Sequence, residues 1–344
     1  MKVIHLQNED QDRWTSLLIS SESSGFMQSW EWSIFKEKEG QRVLRIGILD
    51  EEQLVAGCMV YFVKASVGSS PLEIPHGPVI PWSRPGADQY FFAIKDELFN
   101  FAKENLAPSA RLTPLISSPY PELLSYLPKS PVDIVPSDTL LIDLHSEEDV
   151  LSQMKEKGRY NIKKALQNGV IVTSLSDAAL LEHPTVIIDF YNLVEVTAVR
   201  HSFALEPIGY FDRMIRTLGP HQVLRIYQAH YCGVLVATAL VIFYGSVATY
   251  FYGGTLPFLT SSMAPYALHW KIIQDAIRSG CKVYDLFGVA PDDQPFHAYA
   301  KFGQFKSRFG GRKVKYFGSH DIYFYPQLAK LLANNIIKGE YLCK

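Results

Sequence analysis

VLRIGILDEEQLVAGCMVYF, residues 43–62, reads as a strand, a polar turn and a second apolar strand, and its pieces return in the second half of the chain. VLRI at 43–46 recurs at 223–226, and LVA at 54–56 recurs at 235–237, offsets of 180 and 181 residues. Each copy follows a stretch with helical spacing that a glycine closes, SWEWSIFKEKEG (29–40) and IGYFDRMIRTLG (208–219). A helix feeding an antiparallel hairpin, twice, makes duplication of one α/β unit the economical reading.

The bulk numbers agree. At 344 residues, 47% hydrophobic and 20% charged, the chain is long enough for two domains that each bury a core. The start, MKVIHLQNED, has no apolar leader, and the longest apolar run, CGVLVATALVIF (232–243), is far short of the roughly 20 residues that span a bilayer. A soluble, cytoplasmic protein is expected. Cys58, Cys232, Cys281 and Cys343 stand singly, without CxxC pairs, so neither a disulfide framework nor a zinc site is indicated, and no metal or cofactor is expected. The net charge of −2 is unevenly placed. Residues 146–317 hold 18 Lys+Arg against 14 Asp+Glu, leaving 15 against 21 elsewhere, so a polyanion would meet the second half.

Between the halves lies the Pro-punctuated stretch 119–138, then the strand TLLIDL (139–144). Ser146 with Asp149 forms a capping box for a following helix, Asn168-Gly169 is its stop, and Gly158 is expected to break it in two. Strands VLVATALVIF (234–243) and VATYFYGG (247–254), a helix over about 265–279, strand KVYDLFGV (282–289) and a helix over about 297–309 complete the order. The expected class is α/β (α+β), with two domains like the GNAT acyltransferase fold, mixed and mostly antiparallel sheets, and flanking helices.

Chemistry concentrates late in the chain. Residues 294–320 carry Lys301, Lys306, Arg308, Arg312, Lys313 and Lys315 and no acidic residue. Phe302, Phe305 and Phe309 fall at i, i+3 and i+7, one apolar stripe, with Lys306 on its flank. From there an amine either lies partly desolvated along a cleft, where it stabilises an oxyanion, or snorkels into water. Lys155, Arg159 and Lys163, four apart, with Lys157 and Lys164 beside them, make a row suited to RNA phosphates or an ordinary solvated face. Strand alternation puts Tyr250 and Tyr252, ahead of Gly253-Gly254, on one face, lining a substrate site or simply half-buried. The connection GGTLPFLTSSMAP (253–265) lacks the Gly-rich pyrophosphate loop of coenzyme A-dependent GNAT enzymes. GxSxG, P-loop and dinucleotide fingerprints are absent as well.

FMQSWEW (26–32), PHGPV (75–79), the run 139–170, YFYGG (250–254), APYALHW (264–270), YDLFGV (284–289) and FGQFKSRFGG (302–311) occur in an order that resembles the Fem family of peptidoglycan bridge-forming aminoacyltransferases over about residues 26–317. The resemblance implies twin GNAT-like domains, the first made of 1–145 plus 318–344 and binding the acceptor, the second of 146–317 with the transfer site and the tRNA side. It implies transfer of an amino acid from aminoacyl-tRNA, as co-substrate, to an amine of a peptidoglycan stem peptide. The acceptor would be a UDP-linked or lipid-linked muramyl-pentapeptide, a lipid-linked one bringing peripheral contact with the inner membrane face, and the enzyme a monomer. Lys36 resembles the family lysine on the acceptor diphosphate and Arg200 a second diphosphate ligand, with Trp32 and Tyr252 also at the substrate. Phe305-Lys306 resembles the Phe-Lys pair of the transfer site, and Lys155, Arg159, Lys163, Arg308 and Arg312 would face tRNA. His76 stands where the family usually has Arg, and Thr113 where it often has Asp. The alternatives are a GNAT N-acyltransferase that uses acyl-coenzyme A on a sugar or cell-envelope precursor, and a non-catalytic tRNA- or muropeptide-binding module.

Overall fold

The computed structural model describes residues 1–62, 70–294, 297 and 299–325. It divides the chain into two compact units, Met1–Ser137 with Lys315–Lys344, and Asp138–Val314. Cys343 and residues 326–344 of the segment assigned to the first domain lie outside the described residues.

In the first unit a six-stranded sheet has the order β1 (Lys2–His5), β2 (Arg42–Asp50), β3 (Gln53–Phe62), β4 (Leu72–Pro75), β5 (Ser109–Thr113) and a returning strand, His320–Tyr323, the thirteenth in the chain (β13). β4 and β5 pair in parallel and the other neighbours antiparallel. Helices α1 (Gln11–Ser20), α2 (Trp30–Lys38), α3 (Ala87–Asn105) and α4 (Glu122–Ser125) flank it. α3 buries Ala87, Phe91, Ile94, Leu98 and Ala102, a stripe at helical spacing, in one cluster with Ile46, Ile48 and Val60 of the β2–β3 hairpin.

The second unit has seven strands, β6 (Asp138–Asp143), β7 (Ile171–Ser176), β8 (Leu224–Tyr231), β9 (Val234–Tyr244), β10 (Val247–Thr255), β11 (Val283–Gly288) and β12 (Arg312–Lys315), in the order β12-β6-β11-β10-β9-β8-β7. Its helices are α5 (Glu147–Gln153), α6 (Glu156–Gln167), α7 (Asp177–Glu182), α8 (Pro184–His201), α9 (Ile208–Leu218), α10 (Ala264–Arg278) and α11 (Ala300–Lys306). β10 and β11 pair in parallel only over Val247–Thr249 and Val283–Asp285. Beyond that β10 continues along β9 and β11 along β6, so the sheet splits.

The repeated signal is the pair α2–β2–β3 and α9–β8–β9, the same helix-plus-hairpin in each unit. Ser146 caps α5 as expected, its Oγ accepting the Asp149 N–H at 3.1 Å, and α6 stops at Asn168-Gly169. Three boundaries differ from the sequence expectation, and one is the return of the chain to the first unit, at Lys315 rather than at 318. β6 is hydrogen-bonded to β11, so the second unit begins at Asp138 rather than at 146. The break between α5 and α6 falls at Met154-Lys155, not at Gly158, which lies inside α6. Gly158 is there for contact: a Cβ on it would meet the Arg308 carbonyl oxygen at 2.2 Å. Among the described residues no helix is long and apolar enough to cross a membrane, and no cluster of residues could hold a metal ion.

Candidate active site

The opening where β10 and β11 part is filled by a lysine. Lys306 ends α11 at 8% exposure, and its Nζ donates to the carbonyls of Gly288 (2.7 Å) and Phe287 (3.3 Å) while standing 5.8 Å from the centre of the Tyr250 ring. Those carbonyls are presented by a strained turn. Phe287 has a left-handed φ of 57°, rare for an aromatic residue, and its N–H donates to Asp285 Oδ1 at 2.8 Å. The Thr139 hydroxyl donates to the same oxygen. An ammonium has three hydrogens; two are taken, and the third has no partner among the described residues. Burial pulls the Lys306 amine down to about 8, opposed by the neighbouring Asp285 carboxylate. Asp285 in turn is raised by burial, against the Thr139 hydroxyl, the Phe287 N–H and Lys306.

Beside Lys306 sits a buried histidine, His269. His269, on α10, packs among the rings of Tyr250 (4.7 Å), Phe309 (4.9 Å) and Phe305 (5.4 Å), and its Nδ1 is 2.8 Å from the Tyr284 hydroxyl. Burial, reinforced by Lys306, holds its pKa to about 3, so the imidazole is neutral and Lys306 is the cation of this cluster. Phe305 also meets Tyr266 at 5.1 Å, whereas Phe302 leaves the expected stripe and packs on His201 at 4.5 Å.

Tyr250 and Tyr252 do not share a face. β10 carries a bulge at Phe251, so Tyr250 lies opposite Val241 and Tyr252 opposite Leu240, adjacent residues of β9 that point to opposite sides. Tyr250 therefore joins the α10 side with His269, while Tyr252 packs on Phe211 of α9 at 5.0 Å. Arg200, at the end of α8, donates to the Thr255 hydroxyl at 2.8 Å and so lies by the end of β10, in the second unit.

The basic row is not one helical stripe. Lys155 is the residue that caps α6 and reaches Ser307 Oγ at 3.5 Å. Arg159 turns back to the Met154 and Leu151 carbonyls at the end of α5, and Lys163 is exposed. Arg308 lies in the 3₁₀ turn, and Arg312 on β12 is 3.6 Å from Asp143.

In the first unit α2 holds Trp32, 2% exposed, and Lys36, whose Nζ stands 5.3 Å from the Trp32 ring. Lys36 and Arg111 both act on Glu73 of β4, opposing the rise that burial gives its carboxyl. Arg111 is itself paired with the buried Asp321 of β13 at 2.8 Å. His76, with a left-handed φ of 57°, is buried without a hydrogen bond to either ring nitrogen among the described residues, and burial holds its pKa to about 3. Thr113 bonds Ser319 at 2.8 Å. Glu73, Arg111, Asp285 and His269 were not singled out from sequence, although Asp285 and His269 lie inside the quoted YDLFGV and APYALHW.

A model of the FemAB family matches residues 6–120, 129–232 and 222–335. The UDP-N-acetylmuramoylpentapeptide-lysine N(6)-alanyltransferase of Weissella viridescens is 30% identical over 159 residues, a stretch that spans less than half of either protein, 45% of each. The crystal structure of FemX superposes with a TM-score of 0.82 at 16% identity, covering 96% of this chain and 99% of that one. A tandem GNAT protein from the clavulanic acid biosynthesis pathway gives 0.55 at 11% identity, covering 94% and 99%. The two structures show the fold, twin GNAT-like units.

Proposed function

The chain belongs to the FemAB family, and from that premise we propose that it is an aminoacyltransferase that moves an amino acid from aminoacyl-tRNA to an amine of a muramyl-pentapeptide. The observation that carries this reading is the Lys306 amine, buried where β10 and β11 separate and holding one hydrogen uncommitted. In the proposed step the neutral acceptor amine attacks the ester carbonyl carbon. The C–N bond forms, the carbonyl oxygen becomes an oxyanion, and the third Lys306 hydrogen meets it. Collapse breaks the C–O bond to the ribose, and the proton lost by the amine ends on the departing ribose hydroxyl. An activated ester needs positioning and charge stabilisation more than a strong base, which suits a site whose histidine is neutral and buried. The similarity to a muramoylpentapeptide alanyltransferase supports this acceptor class. Lys36, beside Glu73 in the first unit, is the charged group we assign to its anionic end. The enzyme works as a cytoplasmic monomer without a cofactor in this reading, with Lys155, Lys163 and Arg308 toward the tRNA.

The test is mass spectrometry of UDP-linked muramyl-pentapeptide incubated with the protein and charged tRNAs, with acetyl-coenzyme A in a parallel tube. Gain of one amino-acid residue mass, lost with Lys306→Ala, is the expected result. An acyl gain from coenzyme A alone would sink the reading.

A further inference from the structure

The loop from β10 into α10 divides its apolar side chains between two fates. Leu256 and Met263, at its two ends, pack against the core of the second unit. Between them Pro257, Phe258 and Leu259 are exposed one after another, Phe258 at 62% and Leu259 at 38%. The backbone is pinned in that form. The Leu256 N–H donates to the Val236 carbonyl, the Ser262 N–H to that of Leu259, and the Asn168 side-chain amide to that of Ser261, each at 3.0 Å. Leu259 takes a left-handed φ of 62° and Met263 one of 57°, which such side chains seldom adopt. The loop is therefore built to hold three apolar side chains in water rather than to turn them inward. Single exposed apolar residues are ordinary, but a contiguous run at a loop tip marks a surface that meets something apolar.

The surroundings select the partner. Lys157 and Lys164 of α6 border the same hollow as Phe258 and Leu259. Tyr160, three residues after Lys157 and four before Lys164, shares their helix face and is 60% exposed. Neither lysine pairs with a carboxylate among the described residues, and from Ile226 to Trp270 the sequence has no Asp, Glu, Lys or Arg. An apolar tip is thus flanked by two amines and an aromatic ring, and the loop holds no carboxylate to repel an anion. An RNA strand would use the lysines and the rings but leave Pro257 and Leu259 in water. A second copy of the chain, meeting this face across a two-fold axis, would set the lysines against their equivalents. An anionic bilayer uses every part: acyl chains take up Phe258 and Leu259, Tyr160 sits at headgroup depth, and lipid phosphates meet the amines. We infer that this face is a peripheral docking surface for a membrane of anionic phospholipid. It lies on the unit that carries Lys306, so docking keeps the transfer site at the surface where a lipid-linked acceptor resides. That use rests on the function proposed above; the docking itself does not.

The experiment sediments the full chain with vesicles of phosphatidylcholine alone and of phosphatidylcholine with equimolar phosphatidylglycerol. Phe258→Ser/Leu259→Ser and Lys157→Gln/Lys164→Gln are compared with the parent, and thermal midpoints confirm that each variant is folded. We expect the parent to bind the anionic vesicles and to leave the neutral ones. The first variant should weaken that binding about tenfold or more, as loss of a large side chain from an apolar phase does. The second should weaken it about 25-fold, at roughly fivefold per lysine, and should be less sensitive to added salt than the parent. A parent that does not bind anionic vesicles overturns the inference, and so does binding that both variants retain in full. A labelled single-stranded RNA in place of the vesicles tests the first rival: RNA binding lost in both variants, with vesicle binding unchanged, gives the face to RNA. A doubled mass in sedimentation equilibrium, lost in both variants and found without vesicle binding, gives it to a second copy. Transfer assays separate the docking from the function. Amino-acid transfer by a protein that ignores the vesicles removes the docking surface and leaves the function. Vesicle binding that the variants lose, in a protein that transfers nothing, leaves the docking surface and removes the function.

Discussion

Two of the three Lys306 hydrogens go to the backbone carbonyls of Phe287 and Gly288 on β11, and that arrangement fixes where the third one points. Replacing Lys306 by Ala should lower transfer about 10²–10³-fold, the range for loss of one oxyanion donor, with the acceptor KM little changed; steady-state kinetics would check both. The protonated amine is the working form, and its pKa is depressed to about 8, so turnover should fall as pH rises through about 8. Asp285 is the group that holds this value up, so Asp285→Asn should move the inflection in the pH profile to lower pH. A profile unmoved by that substitution would show that the carboxylate does not act on the amine. The sign for stability is the opposite. Between about 8 and 10.5 the unfolded chain keeps the proton that the folded one has released, so at this site the fold gains stability with rising pH.

Elements defined by neighbours in sequence were legible, and those defined by contact were not. The Ser146 cap, the Asn168-Gly169 stop and the two hairpins rest on spacings of a few residues, and all are present. The faces of Tyr250 and Tyr252 depart from the expected one because alternation assumes an unbroken pleat, and the bulge at Phe251 adds a residue that no composition signals. Asp285 and His269 acquire their roles only when β11, α10 and α11 meet, so a sequence read position by position offers nothing to single them out. Gly158 has the same cause: a glycine inside a helical run signals a break, while α6 needs it to approach the Arg308 carbonyl. Gly158→Ala should therefore destabilise by about 1–3 kcal/mol, as overpacking against backbone does, although alanine is the better helix former. Chemical denaturation would measure it, and a stabilised variant would refute the contact argument.

At the scale of the whole molecule, the second unit is one unbroken stretch, Asp138–Val314, and the first is assembled from both sides of it. A polypeptide of residues 138–314 should show a cooperative thermal transition followed by circular dichroism. One of residues 1–137 should not, because β5 would lack β13 along its outer edge and Arg111 would lose Asp321. Breaking that ion pair in the full chain, as in Arg111→Ala, strands a carboxylate that is 1% exposed and should cost about 3–5 kcal/mol.

The returning strand also orders events on the ribosome. Arg111 and Asp321 are 210 positions apart in the chain, so β5 emerges long before the strand that covers it. The second unit is fully translated while the first still waits with a bare sheet edge, the kind of surface on which nascent chains aggregate. Synthesis therefore completes the younger half of this protein first, and the last described strand to leave the tunnel closes the oldest sheet.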